Sequence, residues 1–173
     1  RDDVWCERVY SPWPDLHKIM KEENIPLFCL ESQEPVKNMD FLGITIQYEM
    51  CYTNILQILD LSQIPLLAAD RDDTVPIVIG GTYNPEPIAD FFDLFYMGEG
   101  EVVYDRMLDL YQEMKRAGRS RREFLHEAAK IPGIYVPSLY QVEYKEDGTI
   151  ASFTPVDEEI PATVTKQLVM DMT

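Results

Sequence analysis

No apolar run in these 173 residues approaches the roughly 18 that a membrane-spanning helix needs, and no signal-peptide pattern opens the sequence. The expectation that follows is a cytoplasmic protein with no membrane contact. Basic charge is scarce as well: 15 Lys and Arg stand against 31 Asp and Glu, a formal net charge of −16. So acidic a surface repels phosphate backbones and anionic lipids, which argues against direct nucleic-acid binding. Cysteine occurs three times and histidine twice. Cys6, Cys29 and Cys51 are too far apart for a Cys-x-x-Cys pair and too few for a disulfide framework, so they read as free core thiols. Neither His17 nor His126 has a partner at ligand spacing, and His126 is expected to be solvated. No Gly-x-Ser-x-Gly elbow, Walker loop or clustered iron-sulfur cysteines occur, so no catalytic residue and no metal ligand is assigned.

What is present suits one α/β domain with a small appendage, since 46% of the residues are hydrophobic and 11% aromatic. The organising stretch is Thr74 to Glu101. Val75 to Ile79 and Leu94 to Met97 are apolar runs too short for helices and read as buried parallel strands. They end at Gly80-Gly81 and at Gly98-Glu99-Gly100, and ligands of open α/β sheets sit at the carboxyl ends of the strands. Glycine there accepts positive φ and permits close approach of backbone or ligand.

Upstream, Val4 to Tyr10 alternates as a strand would. Pro14 opens a helix to about Asn24 that buries Leu16, Ile19 and Met20. Leu27 to Leu30 reads as an edge strand, and Phe41 to Ile46 as a buried strand with Gly43 under a packed helix. A helix follows with Tyr52, Ile55, Leu56 and Leu59 on one face, and Asp70 to Asp73 is a solvated turn. After Glu101 a helix carries Val103, Met107, Leu110, Tyr111 and Met114, and Gly118 ends it. Ser120 to Glu123 is a capping box for a further helix. Tyr140 to Tyr144 and Thr149 to Phe153, joined at Asp147-Gly148, form a β-hairpin. The chain is extended from Val156 onward, leaving Val164, Leu168, Val169 and Met170 available to a partner.

Two groups of candidate site residues stand at the expected strand ends. One is the groove of Gly80, Gly81, Thr82, Gly98, Glu99 and Gly100, in which Glu99 and Glu101 either cap a helix or meet a ligand. The other is Tyr48, Glu49 and Tyr52, a platform for a planar ring or a face for a neighbouring domain.

These residues carry a resemblance. Gly80-Gly81, Pro85-Glu86-Pro87, Asp90, Asp93 and Met97 to Glu101 resemble the end of the cobalamin-binding-type domain that precedes the catalytic barrel in many radical SAM proteins. Phe41 to Met50, Tyr52 to Leu56, Ile64 to Leu67 and Ile131 to Ser138 resemble one uncharacterised radical SAM family bearing that domain. The resemblance implies a doubly wound, mainly parallel flavodoxin-like sheet with helices on both faces, its first strand lying ahead of Arg1. It implies a domain over residues 1–135, a hairpin appendage over 136–155, and an extended linker over 156–173 toward a downstream radical SAM domain of the same chain.

By this resemblance, the 4Fe-4S cluster and S-adenosylmethionine belong to the parent protein, a radical SAM enzyme of unassigned reaction, and the segment itself catalyses nothing. Cobalamin is a candidate ligand in the groove. The Asp-x-His-x-x-Gly motif that supplies an axial imidazole is not matched, because Asp15-Leu16-His17 is followed by Met20 where glycine is needed, so degenerate or no binding is expected. Two alternatives stay open: a cobalamin-binding domain lacking the axial histidine, and a flavin-binding or receiver-type module. Gln47 after the Phe41 strand argues against a receiver, which needs an acidic residue there.

Overall fold

The computed structural model describes residues 1–82 and 84–170. Its centre is a four-stranded sheet in the order β1-β2-β3-β4, formed by Phe41–Thr45, Ile77–Gly81, Leu94–Tyr96 and Ile134–Tyr135. The first three strands are parallel and β4 runs antiparallel to β3. The molecule is thus mixed α/β with a mostly parallel sheet. β4 was not expected, since two residues are too few for any periodicity to register. β2 begins two residues later than the sequence suggests. Pro76 has no N–H for a ladder, and the Val75 and Pro76 carbonyls accept from Arg121 at 2.9 and 2.8 Å.

Among the described residues four α-helices accompany this sheet: α1 (Pro14–Glu22), α2 (Tyr52–Leu61), α3 (Tyr104–Arg116) and α4 (Arg121–Ala128). α1 stops where Asn24 takes a φ of 53° and the Ile25 N–H reaches back to the Met20 carbonyl at 2.9 Å. α3 ends in the same way at Gly118, φ 66°, with the Arg119 N–H on the Met114 carbonyl at 3.0 Å. The capping box forms as read: the Ser120 hydroxyl accepts from the Glu123 N–H, and the Ser120 N–H donates to the Glu123 carboxylate at 2.8 Å. β5 (Tyr140–Tyr144) and β6 (Ile150–Pro155) make the hairpin, a separate two-stranded sheet turning at Gly148 with φ 80°. It joins the domain through aromatic contacts, with Tyr140 stacked on Phe153 at 4.6 Å and Tyr135 5.3 Å from Tyr140.

Several expectations are corrected. Val4 to Tyr10 is no strand: it lies extended without a ladder, tied by the Leu30 N–H to the Arg8 carbonyl, and Trp5 is 80% exposed. Leu27 to Leu30 supplies a single bridge, Phe28 to Pro35. On α1, Met20 is buried whereas Leu16 and Ile19 face outward. Gly43 has no helix over it, because a Cβ placed there would meet nothing within 4 Å. Among the thiols Cys29 is buried, Cys51 partly so, and Cys6 exposed.

The solvated turn at Asp70 to Asp73 is corrected most sharply. The Arg71 side chain is sealed from solvent, donating to the Pro65, Leu66 and Phe91 carbonyls and to Asp93. Asp93 also accepts from the Val78 N–H at 2.7 Å and pairs with Arg121 at 2.6 Å. One buried carboxylate therefore fixes the start of β2, the approach to β3 and the first turn of α4.

A candidate interface at the carboxyl edge of the sheet

Because β1, β2 and β3 are parallel, the segments leaving them share one edge. The Ile46 N–H donates to the Gly81 carbonyl at 2.9 Å and extends the β1–β2 ladder to that edge. The turn at Tyr48, Glu49 and Tyr52, the residue Thr82, and the turn at Gly98 to Gly100 are thus brought to the same side. Tyr48 is 53% exposed and Met50 79%, while Tyr52 opens α2 and packs against the core. The Thr82 hydroxyl accepts from the Asn84 N–H at 3.4 Å.

The glycines here make room for the chain itself. Gly80 pairs with Phe95 and Gly81 with Tyr96 across the β2–β3 ladder. A Cβ on either would overlap the partner's aromatic side chain, and at Gly80 it would also press on Phe92 at 3.0 Å. A Cβ at Gly100 would lie 2.5 Å from the Tyr104 ring. Tyr104 packs edge-on against Tyr96 at 5.2 Å, and burial pushes its phenol pKa well above the ordinary value.

Gly98 is different, since its φ of 105° is one that only glycine adopts readily. There residues 164–170 cross the edge. Gln167 donates its N–H to the Met97 carbonyl at 2.9 Å, and its own carbonyl accepts from the Glu99 N–H at 3.0 Å. The Glu99 carboxylate accepts from the Val169 N–H, so this side chain caps the crossing segment and not the turn that follows it. Val164 packs against the core and Ile160 is buried, whereas Leu168 is half exposed. Residues 171–173 of the expected linker lie outside the described residues.

Tyr135, which lies in the Ile131 to Ser138 stretch but was not among the candidate site residues, donates its hydroxyl to Glu86 at 2.7 Å, and burial and that carboxylate both raise its pKa. These partners were missed because 49 residues separate Glu86 from Tyr135 and 70 separate Glu99 from Val169.

Three other places gather polar groups or form clefts. At the opposite edge a cleft of about 410 Å³ is lined by Asp40, Tyr111, Lys115, Arg119 and Arg121, with its charges paired: Lys115 and the Tyr111 hydroxyl on Asp40, Arg119 on Glu123. A second, more apolar cleft of about 580 Å³ lies between Tyr10, Trp13, Leu16 and Leu30. His126, expected to be solvated, instead meets Asp157 at 3.0 Å and has Glu127 and Glu159 near it. The Lys130 ammonium already neutralises both glutamates, at 2.8 and 2.5 Å. Among the described residues no helix is long and apolar enough to cross a membrane.

Comparison with known proteins fits the arrangement. The uncharacterized protein MJ0966 of Methanocaldococcus jannaschii is 35% identical over 85 residues, which are 47% of this chain and 18% of that protein. The chain therefore aligns with under a fifth of that relative's length. No solved structure matches it. Residues 1–137 match the family described as radical SAM proteins, N-terminal, and the chain belongs to that family.

Proposed function

We propose that this chain is the accessory N-terminal domain of a radical SAM iron-sulfur protein, with degenerate or no cobalamin binding. In this reading the carboxyl edge of its sheet docks on a catalytic domain carried elsewhere in the same polypeptide. The observation that carries it is that each glycine of the candidate groove is faced by the chain's own atoms: Phe95 at Gly80, Tyr96 at Gly81, Gln167 at Gly98 and Tyr104 at Gly100. Side chains and backbone of the chain itself thus stand beside each of these glycines, which supports a reading without bound cobalamin. The histidines belong to other elements, His17 to α1 and His126 to α4, so the segments at this edge offer no axial imidazole.

Exposed Tyr48 and Met50 give the edge the apolar character of a docking surface. In this reading the 4Fe-4S cluster and S-adenosylmethionine are held by the catalytic domain, and Tyr48, Glu49, Tyr52 and Thr82 serve as contacts. The free thiols suit a cytoplasmic setting. We also read the sheet as flavodoxin-like. The β1-β2-β3 parallel run supports this, as does the outer edge of β1, where Phe41, Gly43 and Thr45 point their backbone groups away from β2.

The test has two arms. Amide hydrogen exchange of the intact parent against this chain alone should show added protection at residues 47–52 and 98–104, and unchanged exchange there would sink the docking. Hydroxocobalamin titrated into the chain should give no saturable change in corrin absorbance. Saturable micromolar binding, abolished by Gly98→Val without unfolding, would favour a cobalamin domain lacking the histidine.

A further inference from the structure

We propose that the gap between Gly98 and Gly133 is a strand-addition site for an extended peptide, filled in cis by residues 166–168 and exchangeable with the same peptide supplied in trans. The proposal goes beyond the docking reading and rests on the contacts alone. β4 leaves the side of β3 after the Met97 N–H has bonded the Gly133 carbonyl at 2.7 Å. Beyond that point Met97 and Glu99 would present backbone groups with no strand beside them. Gln167 takes that place in parallel orientation, accepting from Glu99 and donating to Met97, and Val169 repeats the step by donating to the Glu99 carboxylate. Main-chain bonds of this kind are how strand-addition sites hold a peptide whatever its side chains.

The slot is shaped for backbone. Gly98 has a φ of 105° and Gly133 of 89°, so each position is suited to glycine on conformational grounds. Each is also closed to a side chain by the occupant: a Cβ at Gly98 would overlap the Gln167 carbonyl, and one at Gly133 would sit 2.6 Å from the Gln167 Cγ. Two glycines on segments 35 residues apart thus open the same channel around one residue.

The occupant lies close to the surface. From Pro161 to Met170 no residue is buried, and Met170 is 91% exposed. Extended segments with little burial and exposed hydrogen bonds lie at the low-stability end of a fold and open locally without global unfolding. A closely shaped slot with a weakly buried occupant is an arrangement that permits exchange.

The test is amide exchange in the full chain. The Glu99 and Gln167 amides should be protected together, and less than those of Ile79 and Leu94 in the sheet. Gln167→Pro removes the N–H given to Met97 and should lower Glu99 protection by about tenfold or more while Ile79 keeps its own. Adding a synthetic peptide of residues 162–170 in excess should restore it, and the same peptide carrying Gln167→Pro should not. If Gln167→Pro fails to fold, Glu99→Ala, which loses the acceptor for Val169, takes its place with Gln167 as the reporter. Protection at Glu99 equal to that of Ile79, no protection at all, or no recovery with the peptide would each overturn the proposal.

Discussion

The Arg71 guanidinium meets the Asp93 carboxylate at 2.8 Å with both side chains closed off from water, and Arg121 closes on the same oxygen at 2.6 Å. Removing the shared acceptor leaves two cations facing each other in a site built for one anion. Asp93→Ala is therefore expected to cost about 3–5 kcal/mol, the range for breaking a buried ion pair from one side. Urea denaturation measures it. A loss below about 1 kcal/mol would mean that the backbone carbonyls around Arg71 and Arg121 suffice without the carboxylate.

Gly80→Ala and Gly43→Ala, one strand apart, should have unequal effects. At Gly80 the added methyl runs into Phe95, and overpacking of this kind costs about 1–3 kcal/mol. At Gly43 nothing lies within 4 Å and φ is not positive, so reduced freedom of the unfolded chain should leave stability unchanged or raise it by up to about 1 kcal/mol. Phe95→Leu combined with Gly80→Ala should recover part of the loss. Equal effects at the two glycines would show that the cross-strand ring is not what keeps residue 80 small.

Tyr104, Tyr111 and Tyr135 should stay protonated past pH 10 in the folded protein. Burial raises each above the ordinary value of 10.0, and Asp40 and Glu86 add to the rise at Tyr111 and Tyr135. Because the folded pKa is raised, their contribution to stability is complete below the unfolded value. It is lost as pH rises past that value toward the folded one. Burial raises Tyr140 too, so ultraviolet titration should place Tyr104, Tyr111, Tyr135 and Tyr140 among the late phenols, and ionisation of the first three near pH 10 without unfolding would refute the assignment.

Glu123 works in the opposite sense. The Ser120 N–H and hydroxyl hold its carboxyl below the ordinary value of 4.5, so the capping box stabilises α4 above that pH and weakens as pH falls through the folded value. Glu123→Gln should flatten that part of the acid limb, and Ser120→Ala should cost about 1 kcal/mol at neutral pH. An acid limb unchanged in Glu123→Gln would place the titrating group elsewhere.

Local chemistry made much of this fold legible. Ser120 with Glu123, Asp147-Gly148, and the apolar runs at Phe41, Ile77 and Leu94 specify cap, turn and strands through contacts a few residues long, so they survive reading without a structure. The alternation at Val4 to Tyr10 misled because alternation describes a strand only when another strand lies beside it, and among the described residues none does. Arg71 misled because three neighbouring aspartates suggest solvent, whereas its partner stands 22 residues away.

An acidic α/β domain with parallel strands and glycine turns, together with the family to which its motifs belong, is legible from residue order, because propensity, periodicity and turn chemistry act over short range. What those glycines admit is set by packing in three dimensions. Whether Gly80, Gly81, Gly98 and Gly100 open a groove or close one depends on atoms of Phe95, Tyr96, Gln167 and Tyr104. Three of these are brought in by ladder pairing or chain reversal, and a glycine records that space is needed without recording what fills it.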